Sequence, residues 1–345
     1  MGNNGLQGLA TGIGSLPYDD VDQALDSIFS YFHEIPFWPQ LPKRDPREGM
    51  VSQFIEHIPC MKWFQDGIVF DARRSDKELE DFYDRLIAVD TEYFQISRAF
   101  ASGLHGFYER LGKMDLSRIT GIKCHITGPF TFAASVKDEN GAALLHNPVF
   151  MQVIIKALTM KALWQIKLFK KFNKKIIVFL DEPYLGCFGS AYTPVNREEV
   201  VNGLAEITES IKAEGALSGV HCCGNTDWSI FTDVKTMDII NFDAFGFLDR
   251  VLLYADSLKL FLQRGGMLCW GIVPTQDFSA GLTADDLLKK IESGLGVLEK
   301  KGLPAKTVLE NMLLSPSCGL GALDTDAPKK IFSLLSKLSS RVRAL

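Results

Sequence analysis

Ile176-Ile177-Val178-Phe179-Leu180-Asp181, followed at once by Glu182-Pro183, decides the fold of this 345-residue chain. Its apolar residues run without alternation, so such a strand is covered on both faces, as the strands of parallel sheets are. Seven more runs have this form: 8–15, 35–41, 121–127, 218–223, 239–245, 267–273 and 312–316. Between them lie stretches of helical period, among them 149–172, 197–214 and 284–301. Thr193-Pro194 ahead of Asn196-Arg-Glu-Glu, and Thr283-Ala-Asp-Asp, read as helix starts. Eight strand–helix alternations predict an α/β fold, a single (β/α)8 TIM barrel over residues 1–345 with helical insertions. Segment 51–113 breaks the rhythm and is expected to be a helical insertion, an elaborated connection of the kind that forms part of a lid. An open, doubly wound sheet is the alternative. Against it, Gly12-Ile13-Gly14-Ser15 lacks the third glycine of a dinucleotide loop.

The net charge is −5, and the one cationic stretch, 167–175, reads as the solvated end of a helix. That argues against nucleic acid or an anionic membrane as a partner. We find no apolar run near twenty residues and no charged-then-apolar leader, so a soluble cytoplasmic protein is expected. The seven cysteines, at 60, 124, 187, 222, 223, 269 and 318, are odd in number and scattered, which does not suit a disulfide framework.

In a barrel of this kind, the C-terminal ends of the strands build the active face. Those ends here carry Ile13-Gly14-Ser15, Thr127-Gly128-Pro129, Asp181-Glu182-Pro183, His221-Cys222-Cys223, Asp243 and Ser317-Cys318-Gly319. Alternate strand residues share a face, so His221 and Cys223 point together and Cys222 points away. With Cys318 from the last strand end they make a histidine and two thiolates, a donor set suited to Zn²⁺ with a coordination position left for substrate. The competing explanation is that the cysteines pack and His221 is a hydrogen-bonded core residue. A free thiol has a pKa of about 8.5 and is mostly protonated at neutral pH, whereas coordination deprotonates it. A thiolate-rich zinc site favours alkyl transfer to sulfur over hydrolysis.

Ile-Gly-Ser-x-Pro, Thr-Gly-Pro, Asp-Glu-Pro, His-x-Cys and Ser-Pro-x-Cys-Gly-Leu follow one another from about Gly12 to Leu320. In this order and spacing the chain resembles the catalytic barrel of cobalamin-independent methionine synthase, within the superfamily shared with uroporphyrinogen decarboxylase. The resemblance implies that His221, Cys223 and Cys318 are zinc ligands and that Asp243 stands where the family has a glutamate ligand. It implies that Ile13, Gly14 and Ser15 hold the carboxylate of homocysteine and that Asp181, with Glu182 beside it, receives its ammonium group. Asp45 and Glu48 are loose matches for a further acidic residue on that ammonium. The chain departs from the family in having room for only one barrel, and in carrying Ser135 where a tryptophan stacks on folate. Methylcobalamin, usually on a corrinoid protein, is therefore the expected methyl donor.

The expected activity is methylation of homocysteine to methionine. The alternatives are methyl transfer between a corrinoid protein and another thiol such as coenzyme M, or a non-catalytic zinc- or corrinoid-binding protein. Phe37-Trp38-Pro39 and Trp270-Gly271 read equally as pocket wall, corrinoid contact or core packing.

Overall fold

A computed structural model describes residues 5–190, 194–276, 278–279 and 281–345. The helix start read at Thr193 lies outside the described residues. The helix itself runs Arg197–Ala213, with the Asn196 side chain accepting the Glu198 N–H as its N-cap. Thr283 and Asp286 form a reciprocal capping box on helix Ala284–Lys300, as read from the sequence.

Two short antiparallel strands, β1 (Met61–Phe64) and β2 (Gly67–Phe70), form a hairpin. The other six strands among the described residues are parallel and lie side by side in chain order: β3 (Gly121–Thr127), β4 (Lys175–Asp181), β5 (Leu217–Cys222), β6 (Ile239–Phe242), β7 (Met267–Val273) and β8 (Met312–Pro316). Helices fill the connections. The sheet curls until its edges are joined by two extended segments. Ala10 bridges Leu314 of β8, Ser15 bridges Gln40, and Phe37 bridges Lys123 of β3. The result is a TIM-barrel-like α/β fold.

The sequence predicts full strands at 8–15 and 35–41, but these segments pair only at isolated bridges. Pro36 and Pro39 have no N–H to give to a ladder. Gly8 takes a left-handed φ of +66°, and a side chain at Gly12 would collide with the Phe37 ring. Hydrogen bonds from Lys123 N to Pro36 O (2.9 Å) and from Thr11 N to Leu314 O (3.0 Å) hold the segments in the wall all the same.

Strand parity divides the core. Ile177, Phe179, Ile239, Met267, Cys269 and Leu313 pack inside the barrel. Their neighbours, such as Val178, Leu180, Val220, Ile240, Leu268 and Leu314, pack outward under the helices. The inward set turns polar toward the C-terminal end, with Asp181, His221, Asn241 and Ser315 all buried.

Two expectations need correction. Segment 51–113 contains helices Ser75–Ile87 and Ser102–Leu111, but also the β1–β2 hairpin, so it is not purely helical. The hairpin turns through Gln65 and Asp66, both at positive φ, without the Asn-Gly signature that announces such turns. Helix Pro148–Lys170 is also long and apolar enough by length and composition to cross a membrane, although the sequence reading finds no such run. In the fold it is a core helix, 72% buried over its apolar window.

Candidate metal centre

His221 lies in β5, Cys223 directly follows that strand, and Cys318 stands just past β8. One ligand atom from each lies within 4.8 Å of the other two, and this cluster can hold a metal such as zinc. Four-coordinate Zn²⁺ draws such atoms in to bonds of about 2.0–2.3 Å. Cys222 faces the other way and is buried in the outer core, where burial pushes its thiol up to about 12.

The imidazole is oriented from behind. His221 Nδ1 lies 2.5 Å from Asn241 Oδ1, and Asn241 Nδ2 donates to Cys269 O and to Ser315 Oγ, each at 2.8 Å. With its amide hydrogens committed, Asn241 presents only its oxygen to the ring. Nδ1 must then carry the proton, and Nε2 is left to face the sulfurs. Fixing a ligand's tautomer through its other ring nitrogen is the usual task of a metal site's outer groups. Asn241 is one of the residues that sequence reasoning missed. The available signal was a polar residue inside the apolar run Ile239-Ile240-Asn241-Phe242, paired in register with His221.

Cys223 and Cys318 share a hydrogen bond. That bond, with further help from the His221 imidazole and the Gly319 N–H, drives Cys318 well below the ordinary thiol range. The same bond, together with burial, drives Cys223 up. The two shifts favour a thiolate at Cys318 that accepts from the Cys223 thiol, beside the His221 imidazole. Burial works against a charged His221, but Cys318 and Asp181 outweigh it and raise its pKa. A site that already stores a thiolate beside a histidine fits a soft divalent ion.

Asp243 stands outside the three-atom cluster. Its Oδ1 accepts the Gly246 N–H at 2.7 Å, and burial raises its pKa. The charges of Cys318 and His221 also reach it, so it sits next to the cluster without being one of its converged atoms.

Asp181 ends β4 beside His221, its partner in the β4–β5 register. Burial lifts its carboxyl to about 6, against the opposing pull of Lys123 and His221. Its Oδ1 is buried without a hydrogen-bond partner. An orphaned buried carboxylate oxygen is costly unless a ligand or water meets it.

Glu182, placed by the resemblance near the substrate ammonium, has both oxygens engaged by a helix N-terminus. Oε1 accepts the Phe130 N–H, and Oε2 accepts the Thr131 N–H and hydroxyl, at 2.6–2.9 Å. A Cβ at Gly128 would fall 2.2 Å from Glu182 Cγ and Cδ. Thr127-Gly128-Pro129 and Asp181-Glu182-Pro183 therefore lock together, and the glycine is there to admit the carboxylate.

Ile13-Gly14-Ser15 braces the end of β8. Leu320 N donates to Ser15 O at 2.9 Å, and a side chain at Gly319 would strike Ser15 Oγ at 2.2 Å. Lys123, fully buried in β3, donates its ammonium to Ile13 O and lies 4.6 Å from the Phe179 ring centroid. Burial pulls it down to about 8.

Asp45 caps a short 3-10 turn and pairs with Arg47 at 2.6 Å. Glu48 is buried, with Oε1 taken by Arg44 and Ser102 and Oε2 unpartnered. Phe37 and Trp270 are core residues, packed edge-on against Phe32 and at a tilt against Phe242. Gly271 admits the backbone of Ser317, 2.9 Å from where its Cβ would lie. Trp38 stacks on His125 with ring centroids 3.7 Å apart. Ser135 spends its hydroxyl on Thr131 O.

No family model matches the chain, and no curated protein matches it. Among solved structures, β-methylaspartase from Clostridium tetanomorphum is 14% identical over 77% of this chain and 57% of its own, with a TM-score of 0.38. A mutant methylaspartate ammonia lyase from the same organism is 13% identical over 77% of this chain and 56% of its own, with a TM-score of 0.36. The chain thus spans a little over half the length of these lyases. A protein from Anabaena variabilis, named as a sugar phosphate isomerase/epimerase, is 9% identical over 97% of this chain and 98% of its own, with a TM-score of 0.46. A TIM-barrel-like fold with a His-Cys-Cys cluster at the C-terminal ends of its strands points to an enzyme.

Proposed function

We propose that this chain is a zinc-dependent thiol methyltransferase that methylates homocysteine, with methylcobalamin, on a corrinoid protein, as donor. The observation that carries the proposal is the convergence of His221, Cys223 and Cys318 at the strand ends. Three protein ligands leave the fourth position of a tetrahedral ion for a substrate. A zinc ion there would keep a substrate thiol deprotonated at neutral pH while leaving its sulfur nucleophilic.

The protein's own groups then have defined tasks. Asn241 keeps the His221 ring in one orientation and one tautomer. Asp181 offers an unpartnered oxygen beside the cluster, and a carboxylate there suits an ammonium-bearing thiol better than one bearing a sulfonate. Lys123 shapes the Ile13 carbonyl and, with it, the segment expected to meet the substrate's carboxylate. Burial of Asp181 and His221 keeps water from competing for these contacts.

The test is a methyl-transfer assay of the zinc-loaded protein with homocysteine, using methylcobalamin and methyltetrahydrofolate in separate reactions. Methionine formed from methylcobalamin is the expected result. Consumption of neither donor would refute the activity, and consumption of methyltetrahydrofolate alone would refute the donor.

A further inference from the structure

Helix Pro148–Lys170 turns Pro148, Met151, Gln152 and Ile155 to one face, at the i, i+3, i+4, i+7 spacing that aligns side chains along a helix. Helix Arg197–Ala213 answers with Glu199, Asn202, Gly203 and Glu206 at the same spacing. Between the two faces lies a cavity of about 610 Å³. That is within the roughly 300–1,000 Å³ typical of small-molecule sites.

Gly203 gives the cavity its depth. A Cβ there would meet Phe130 Cζ at 3.1 Å and Ile155 Cδ1 at 3.2 Å, so its absence lets the groove reach down to these two apolar side chains. Both belong to the outer core under the helices, whereas Asp181 and His221 face into the barrel. The cavity is therefore separate from the metal cluster.

The two walls differ in chemistry. One is apolar through Pro148, Met151 and Ile155, and the other carries two carboxylates and an amide. Glu206 is met by Lys156 at 2.7 Å. Glu199 is exposed and has no ion-pair or hydrogen-bond partner among the described residues. The described lining includes no lysine or arginine, and His146 is its one imidazole. Glu199 alone would be a solvated surface charge. What makes it informative is the uncovered apolar floor beside a carboxylate that lacks a counter-charge.

We propose that this groove is a binding site for a small organic cation, a protonated amine carried on an apolar body the size of an aromatic ring system. The body lies against Phe130, Met151 and Ile155, where ring and sulfur–aromatic contacts are available. The ammonium group donates to Glu199 and to the amide oxygen of Asn202. An anion of the same shape meets two carboxylates and is rejected by them. None of these residues is a metal ligand or a substrate contact of the proposed methyltransferase, so the site stands independently of that activity.

The experiment is a titration of the zinc-loaded full chain with tryptamine, tryptophol and indole-3-propionate, which carry one ring system with a cationic, a neutral and an anionic tail. The readout is the Met151 methyl resonance in protein labelled at its methionine methyl groups, assigned through Met151→Leu. Tryptamine should shift it saturably and bind at least about fivefold more tightly than tryptophol, with indole-3-propionate the weakest. Glu199→Gln, a change at an exposed position, should erase most of that preference by weakening tryptamine alone. Asn202→Trp, which sets a ring into the groove, should weaken tryptamine and tryptophol together and leave zinc content unchanged. Equal affinity of the wild type for the three compounds would overturn the assignment, as would a wild-type preference retained in Glu199→Gln. The absence of a saturable Met151 shift with tryptamine would overturn it as well.

Discussion

Asn241 Oδ1 meets His221 Nδ1 at 2.5 Å while both Asn241 amide hydrogens are held by Cys269 O and Ser315 Oγ. The polarity of this contact is thereby set by groups on β7 and β8, remote from the histidine in sequence. Asn241→Ala should reduce metal affinity by about 10–100-fold, the usual effect of losing an outer group. Competition with a chromophoric chelator measures it. Asn241→Asp, which keeps the acceptor, should lose less. Wild-type affinity in the alanine variant would show that the contact does not orient the ligand.

Cys223→Ser and Cys318→Ser should each remove bound zinc, read as metal per chain after dialysis. Full stoichiometry in both variants would refute the ligand set. Asp243→Asn should retain the metal, because its carboxylate is engaged with Gly246 and stands outside the converged atoms. Loss of zinc in that variant would restore Asp243 as the fourth ligand.

Asp181→Asn should leave zinc content unchanged and weaken homocysteine by about 10–100-fold, the range for a hydrogen bond to a charged group. The effect should appear in KM rather than in metal stoichiometry. An unaltered KM would remove Asp181 from the substrate's ammonium.

Gly128→Ala forces a methyl group onto the Glu182 side chain, which holds three donors at the start of the following helix. Overpacking alone costs about 1–3 kcal/mol. The urea midpoint should fall accordingly, and a second change, Glu182→Ala, should cost less in the Gly128→Ala background than in the wild type. Additive losses would mean that the two motifs are not locked together.

Lys161 is fully buried in helix Pro148–Lys170, and among the described residues its ammonium hydrogen-bonds only to Phe94 O, at 3.5 Å. Burial, opposed by Glu56, pulls it from 10.5 down to about 8. Between those values the unfolded chain binds the proton and the folded chain does not, so stability rises with pH across the window. Lys161→Met should flatten that rise, by up to about 1.4 kcal/mol per pH unit. Urea midpoints at pH 8, 9 and 10 provide the comparison, and identical slopes in the two proteins would contradict it. Lys123 shifts in the same direction but is present in both proteins.

Strands 121–127, 267–273 and 312–316 were legible to the residue because their apolar runs are continuous and bounded by turns. Segments 8–15 and 35–41 were legible as wall but not as bridges, since the effect of Pro36, Pro39 and Gly12 depends on what each faces. The convergence of His221, Cys223 and Cys318 was readable from strand parity and the barrel's polarity. Asn241, Lys123 and His125 were not. Each is a polar residue inside an apolar run, and only the register between strands says which side chain stands next to which.

The cluster also dictates an order of events. His221 and Cys223 come from β5 and its end and Cys318 from the end of β8, so until β8 has joined the sheet only two of the three donors stand together. A metal ion acquired then would be loosely held. Firm capture must wait until the barrel has closed and 8–15 lies against β8. The bound ion would afterwards act as a cross-link between the fifth strand and the eighth, so that metal release and opening of the carboxy-terminal seam become a single transition.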